Sequence, residues 1–102
     1  GSIMSKLMTY ELRNRFEKFP LDSQDGKGIN AEIVAMFFNL EGPGTWIITE
    51  GEEKSDGDWL LYGYCNIFEW EWGYVMLSDL EELEVPVVQF VKAAGHKVKE
   101  FI

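Results

Sequence analysis

Nine consecutive residues, Phe68 to Met76, constrain the fold of this chain more than any other stretch. Aromatic or large apolar residues occupy every second position, at Phe68, Trp70, Trp72, Tyr74 and Met76. In an extended strand, side chains two positions apart lie on one face. Glu69 and Glu71 are then expected on the opposite face. The stretch predicts a strand with rings on one side and carboxylates on the other, and we expect helices to cover the rings and leave the carboxylates in water.

The beginning of the chain predicts a helix. Apolar residues recur at spacings of four and three from Met8 to Phe19, which is the period of one helix face. Thr9 can cap the first turn through its hydroxyl group. Pro20 ends the helix, because the residue before a proline disfavours helical backbone angles.

Four strands are predicted after this helix, over residues 29–40, 45–49, 59–65 and 68–76, from β-branched and aromatic runs bounded by turn residues. Residues 50–58 hold five acids and no large apolar side chain, so an exposed loop is expected there. Residues 66–67 are predicted to form a two-residue hairpin turn. Gly63 and Gly73 interrupt two strands, which is typical of a bulge or of a ring that lies over bare backbone.

The end of the chain predicts short elements. Ser78 and Glu81 have the spacing of a capping box, so a helix is expected to begin at Ser78 and to end before Pro86. Helical spacing continues over residues 87–94, with a strand over 85–91 as the alternative. The tail, residues 96–102, is a candidate edge strand. These elements predict an α+β fold: an antiparallel sheet of four to five strands with an N-terminal helix and short C-terminal helices.

A single domain in a reducing compartment is expected. The chain has 102 residues, of which 46% are hydrophobic. Residues 1–3 are interpreted as the remnant of a cleaved expression tag, so the domain is expected to be 4–102. No run approaches the roughly 18 apolar residues of a membrane span, and no secretory signal is seen. Cys65 has no second cysteine to pair with, which favours the cytoplasm and a small buried apolar role.

Negative charge is concentrated in the middle of the chain. The net charge is −9, but residues 28–91 carry thirteen acids against one lysine, or −12. Such a body repels nucleic acid and lipid head groups and is attracted to cationic surfaces of other proteins. Solubility alone is the other interpretation of this charge. Neither nucleic acid nor a membrane is therefore expected as a direct partner.

Two sequence blocks follow one another in a recognisable order. The first is Thr45-Trp46 with Thr49-Glu50; the second runs from Phe68-Glu69 through Gly73-Tyr74 to Leu77-Ser78-Asp79-Leu80-Glu81. With their neighbours they span residues 7–82 and resemble the uncharacterised bacterial family called domain of unknown function 2958. The family often has Asp-Gly at the positions of Asn66-Ile67. The resemblance implies a small acidic protein of plasmids, phages and other mobile elements, and it implies no catalytic residue.

Side chains that catalysis commonly uses are few. The chain has one histidine and one cysteine, without a serine–lysine motif, a nucleophile elbow or metal-spaced histidines. His96 is expected to be an ordinary surface residue. Glu69 and Glu71 would lie about 7 Å apart, yet the sequence indicates no sugar-binding cleft beside them, so a solvated pair is favoured. No cofactor is expected, and no metal, because Asp56-Gly57-Asp58 lacks the spacing of a calcium loop.

The acidic residues predict a non-enzymatic interaction protein. We expect it to bind a basic nucleic-acid-handling protein, such as a nuclease, and to inhibit it by imitating a row of phosphates, as an anti-CRISPR or anti-restriction protein does. The expected partner-binding residues are Glu50, Glu52, Glu53, Asp56, Asp58, Glu69 and Glu71. One alternative is a small-ligand-binding or catalytic domain with a pocket between the aromatic strand and the N-terminal helix. Another is a homodimer formed through a strand edge, so monomer and homodimer both stay open.

Overall fold

The structure is a computed structural model that describes residues 7–102; the expected tag remnant at 1–3 and the first residues of the expected domain lie outside this range. The helices and strands of the described part are α1 (Tyr10–Lys18), β1 (Ala35–Asn39), β2 (Thr45–Glu53), β3 (Trp59–Asn66), β4 (Trp70–Met76), α2 (Leu77–Glu81) and β5 (Val87–Gln89). Neighbouring strands are antiparallel, in the order β4-β3-β2-β1-β5. The expected α+β fold is confirmed. No helix among residues 7–102 is both long enough and apolar enough to cross a membrane.

Helix α1 forms where the sequence predicts it. The Thr9 hydroxyl accepts a hydrogen bond from the Leu12 N–H at 3.1 Å, which caps the first turn. Leu12 and Phe16 are buried against the sheet. The Phe16 ring lies so close to Gly51 that a Cβ atom there would be 2.7 Å from it. Strand β2 therefore has to present bare backbone to this helix.

Two strands differ in length from their predictions. Strand β1 covers only Ala35–Asn39, because the backbone before it bonds elsewhere: the Arg15 guanidinium donates to the carbonyls of Ile33 and Val34. A 3₁₀ turn stands at Gly28–Asn30 instead of strand. Strand β2 extends to Glu53 through residues predicted as loop, because their backbone pairs with the first residues of β3.

The turn between β3 and β4 is longer than predicted. Asn66 pairs with Trp70, so the connection contains three residues, 67–69, rather than a turn at 66–67. β-branched Ile67 is a poor residue for the left-handed angles of a two-residue turn, and the third residue relieves this demand. Strand β4 consequently begins at Trp70, and Phe68 lies outside the sheet.

The C-terminal segment contains a strand where the helical spacing predicted a helix. Val87–Gln89 pairs with β1 and satisfies the outer edge of that strand, so the helix predicted over 87–94 is wrong and the alternative strand is confirmed in part. The tail makes one isolated bridge, Glu32 to Lys97, and a 3₁₀ turn at Val98–Glu100 rather than an edge strand.

Each face of the sheet carries its own hydrophobic core. Helices α1 and α2 pack on one face, here called the helix face, over side chains that include Trp46, Ile48 and Leu61. The opposite face, here called the ring face, packs Ile47 against the C-terminal segment, which contributes Ala93 and Val98. Tyr64 and Trp70 border this second core. The expectation that helices cover the rings is therefore wrong. Strand β3 has large apolar residues on both faces, so alternation alone could not decide which face the helices take.

A register shift in β2 determines which of its side chains lie on the helix face and which lie on the ring face. Ile48 pairs with Gly63 and Glu50 pairs with Tyr62, so Thr49 is the additional residue of a bulge. A Cβ atom on Gly63 would lie 2.0 Å from the Ile47 carbonyl oxygen, so only glycine fits opposite the bulge. This confirms the bulge prediction for Gly63. Gly73, its partner on β4, has open space above it and an unbroken register, so the same prediction for Gly73 is wrong.

Replacing these two paired glycines should have opposite outcomes. Gly63→Ala forces the backbone of β2 to move and should lower the free energy of unfolding by about 2 kcal/mol or more. Gly73→Ala meets no atom within 4 Å and should change it by less than about 0.5 kcal/mol. Urea unfolding followed by tryptophan fluorescence measures both, and equal effects would contradict the close approach at Gly63.

Candidate partner-binding surface

Five aromatic rings form a continuous column on the ring face. The rings alternate between β4 and β3 and each contacts the next, in the order Tyr74, Tyr62, Trp72, Tyr64, Trp70. Their centroids are separated in turn by 4.8, 5.8, 4.7 and 5.0 Å. Aromatic pairs at such distances stabilise a strand pair by more than the burial of their apolar area alone would. This aromatic column therefore stabilises the pairing of β3 with β4 along most of their length.

The column differs from the core that the rings were predicted to form. Tyr74 is 61% exposed and Trp72 is 36% exposed, because no helix lies over them. Within the column, however, two pairs of rings stack face to face. The ring planes of Tyr62 and Trp72, and those of Tyr64 and Trp70, each differ by 17°. A sugar ring or a nucleobase would have to separate these pairs in order to stack on them. The inner rings of the column thus stiffen the hairpin rather than offer flat platforms to a ligand.

The turn between β3 and β4 carries the most exposed large apolar side chain in the described part of the chain. Phe68 is 97% exposed and Ile67 beside it is 47% exposed. Sequence alternation had assigned Phe68 to the aromatic face of the strand. The three-residue turn moves it out of the sheet, and the residues 67–69 are called the tip below. The signal that could have located it is the unsuitability of Ile67 for a tight turn.

Two carboxylates, Glu69 and Glu71, follow Phe68 in the chain and share a groove with it. Glu69 belongs to the tip, and Glu71 pairs with Cys65, which puts it on the helix face beyond the helices. Within residues 7–102 neither glutamate has an ion pair or a hydrogen bond through its side chain. Both are exposed. The sequence had placed both carboxylates on the face opposite the rings; the structure has Glu71 on that face and Glu69 in the turn outside the strand.

A shallow groove of about 360 Å³ lies beside the tip on the helix face. Its walls include both glutamates and Phe68, and its floor includes Trp46, Cys65 and Val75. Burial raises the pKa of the Cys65 thiol to about 11, so this cysteine stays protonated near neutral pH. The groove combines an apolar floor with an anionic rim. Such a lining suits a side chain with a long apolar stem and a cationic end, as in lysine or arginine.

Glu50 has a structural role in the described chain. Its side chain is only 4% exposed, and its two oxygens accept hydrogen bonds from the backbone N–H groups of Asp22 (2.8 Å) and Gln24 (2.9 Å). Gln24 is also buried, and its amide group bonds to the backbone of Glu32 and Thr49. These bonds hold the loop after α1 against the sheet. Glu50 is consequently removed from the surface on which the sequence had placed it.

Three further acids surround the turn between β2 and β3. Glu53 receives two hydrogen bonds from the Arg13 guanidinium, at 3.1 and 3.2 Å, and Glu52 pairs with Lys54 at 3.4 Å. Asp56 is exposed and accepts the backbone N–H of Asp58. Partners within the chain thus already neutralise part of this charge.

Asp58 caps helix α2 from a distance in sequence. Its carboxylate accepts hydrogen bonds from the Ser78 N–H at 3.1 Å, from the Ser78 hydroxyl and from the Trp59 N–H at 2.7 Å. The capping box predicted at Ser78 is therefore wrong, because α2 begins at Leu77 and Asp58 supplies the oxygen. Burial alone would raise the pKa of Asp58, but these hydrogen bonds outweigh it and lower the pKa below its ordinary value of 3.8.

The seven predicted residues do not form one row. The turn with Glu52, Glu53, Asp56 and Asp58 precedes β3, whereas Glu69 and Glu71 follow it. Strand β3 has eight residues, so the two groups are separated by roughly 23 Å at about 3.3 Å per residue. The separation follows from the predicted antiparallel order itself, because consecutive hairpin turns lie at opposite ends of a sheet.

The pocket predicted between the aromatic strand and the N-terminal helix is not where the sequence placed it. A pocket between the rings and α1 is ruled out because α1 lies on the opposite face. A groove of about 270 Å³ lies instead between Tyr62, Trp72 and the loop held by Glu50. Burial raises the pKa of the Tyr62 hydroxyl, and Tyr74 and Glu50 raise it further.

His96 is exposed, and its ring nitrogen lies 3.1 Å from the Glu100 carboxylate. Among residues 7–102, no group of three or more potential metal ligands occurs.

The fold and its surfaces define an acidic α+β domain built on a five-stranded antiparallel sheet. The chain belongs to the family described as protein of unknown function DUF2958, which matches residues 7–97. The family resemblance seen in the sequence is confirmed, and the match continues past residue 82 through β5. No curated protein and no solved structure matches the chain significantly.

The capping bonds of Asp58 predict a pH-dependent contribution to stability. Because its pKa is lower in the folded state, this contribution is fully present above the unfolded pKa and is lost as the pH falls through the folded pKa. At pH 7, Asp58→Asn should lower the free energy of unfolding by about 1 kcal/mol. The difference from the wild type should shrink when the urea titration is repeated below about pH 3.8.

Asp56→Asn is the matched control for this prediction. It removes one charge from the same turn but keeps the oxygen that accepts the Asp58 N–H. It should change the free energy of unfolding by less than about 0.5 kcal/mol at pH 7. A difference for Asp58→Asn that stays constant at low pH would show that its charge does not matter.

Proposed function

We propose that this protein is a non-enzymatic binding protein that docks a basic protein partner on the tip of its β3–β4 hairpin. One observation carries the proposal: Phe68 is almost fully exposed and lines one groove with Glu69 and Glu71, two carboxylates that have no cationic partner within residues 7–102. Aromatic side chains are common anchors of protein interfaces, and free carboxylates at the rim select a cationic partner.

The column of rings supports this function by holding the tip in place. Residues Trp70 and Tyr64, the pair of the column nearest the tip, lie 5.0 Å apart between centroids. A loop that is already ordered loses less conformational entropy when it binds. The aromatic residues that dominate the sequence pattern are thus assigned to preorganisation of the hairpin.

Charge around the hairpin selects the class of partner. No lysine or arginine occurs from residue 55 to residue 91, which includes both strands of the hairpin and α2. A surface of one sign accelerates the encounter with a surface of the opposite sign and repels nucleic acid. A cytoplasmic nuclease with a cationic groove is the narrower proposal, and its inhibition would follow from occupation of that groove by the tip.

The separation of the acids limits how this protein could imitate nucleic acid. Imitation of a continuous phosphate row would need the seven carboxylates on one surface, but Glu50 is buried and two groups stand at opposite ends of β3. The nuclease hypothesis therefore depends on Glu69, Glu71 and Phe68. Glu52, Glu53 and Asp56 contribute to the overall field rather than to the same contact.

Reversing the two free carboxylates should weaken binding. Glu69→Lys with Glu71→Lys should lower the affinity for a basic nuclease by tenfold or more, about 1.4 kcal/mol, as measured by calorimetry. Raised salt should weaken binding of the wild type as well, because it screens exposed charges.

Phe68→Ala should also weaken binding without lowering the melting temperature, since the Phe68 side chain buries almost nothing in the free protein.

Glu17→Lys is the control for the change in charge. Glu17 is exposed on α1, beside the turn between β2 and β3 and at the opposite end of the sheet from the tip. Its reversal should leave the affinity nearly unchanged. An affinity that responds neither to salt nor to the reversal of Glu69 and Glu71 would refute the proposal.

A further inference from the structure

Strand β4 is an open edge of the sheet. It pairs only with β3, and within residues 7–102 no other strand lies against it. It has seven residues in unbroken register, so about half of its backbone N–H and C=O groups face outward. Unpaired groups in such a row form a template on which another extended segment can pair.

The two edges of the sheet differ in how they are protected. Strand β5, at the other edge, has only three residues and is followed directly by a 3₁₀ turn. Strand β4 has no proline, lysine or bulge, which are the usual means of blocking an edge. Gly73 at its centre has open space where a side chain would stand. Strand β4 is therefore the edge of this sheet that can accept a partner.

Charge decides between a second copy of this chain and a different protein. Each copy carries a net charge of −9, and the side of β4 that bears Glu71 is anionic without compensation in the described chain. A high net charge of one sign opposes self-association. A cationic segment is attracted by the same charges that repel a second copy.

We propose that the basic partner contributes an extended segment that pairs with β4 as a sixth strand. The identity of the partner as a basic protein depends on the function proposed above, whereas the strand pairing depends on the edge alone. Side chains of the added strand would alternate between the two faces. Basic side chains would lie beside Glu71 on the helix face, and apolar side chains would lie beside Trp72 and Tyr74 on the ring face. The structure thus predicts a partner motif that alternates basic and apolar residues.

Backbone methylation tests this strand addition directly. The probe is an eight-residue peptide of alternating lysine and valine, with two derivatives methylated on the backbone nitrogens of either all lysines or all valines. In an extended strand, alternate N–H groups point to opposite sides, so only one of the two sets can pair with β4. One derivative should lose tenfold or more in affinity by calorimetry while the other stays close to the parent peptide.

The outcomes separate the strand addition from the proposed function. Equal affinities of the two derivatives, or failure of the parent peptide to bind, would overturn the strand addition. If the strand addition were overturned in this way but charge reversal at Glu69 and Glu71 still weakened the nuclease complex, the proposed function would remain intact. Glu71→Lys should weaken the parent peptide and Glu17→Lys should not. A concentration-dependent dimer in sedimentation equilibrium would assign the edge to a second copy and would also overturn the proposal.

Discussion

The bulge at Thr49 opposite Gly63 is the constraint on which both faces of the sheet depend. Without the additional residue, the side chains that follow Ile48 on β2 would exchange faces. Glu50 would then enter the apolar core below α1, and Gly51 would no longer lie under the Phe16 ring. The bulge thus keeps a carboxylate out of one core and places it where two backbone N–H groups bind it. A single glycine permits this arrangement, because any Cβ atom at Gly63 would meet the Ile47 carbonyl.

The aromatic residues have a different use from the one that their number suggests. An abundance of tryptophan and tyrosine on one strand ordinarily indicates a core or a ligand platform. Here the rings bind one another across β3 and β4 and leave their outer edges in water. The result is a stiff β3–β4 hairpin at the edge of the sheet, with Phe68 and Glu69 in its turn and Glu71 beside the turn. Rigidity of the hairpin and exposure of its turn are the two properties on which the proposed binding role rests.

Local patterns in the sequence were sufficient for the types of the elements up to α2, but not for the C-terminal segment or for the arrangement of the elements. The cap at Thr9, the end of α1 and the antiparallel strands all depend on near neighbours in the chain, and the structure has them as predicted. The face taken by α1, the pairing of β5 with β1 and the cap supplied by Asp58 depend on contacts between distant residues. For the site, alternation identified the face occupied by Glu71, whereas the longer turn moved Glu69 out of the strand. It could not show that Glu50 is buried, because that follows from the bulge and from the loop near Gln24.

The unequal edges of the sheet also limit how this protein can assemble. Growth of a sheet into a fibril requires two long edges, so that every added unit offers a new surface for the next. Here one edge has seven residues and the other three. Two copies of this chain joined through β4 would use both long edges and would leave only the three-residue β5 edges at the ends of the combined sheet. Self-association through β4 would therefore stop at two copies, so an exposed β4 does not lead to open-ended polymers of this chain.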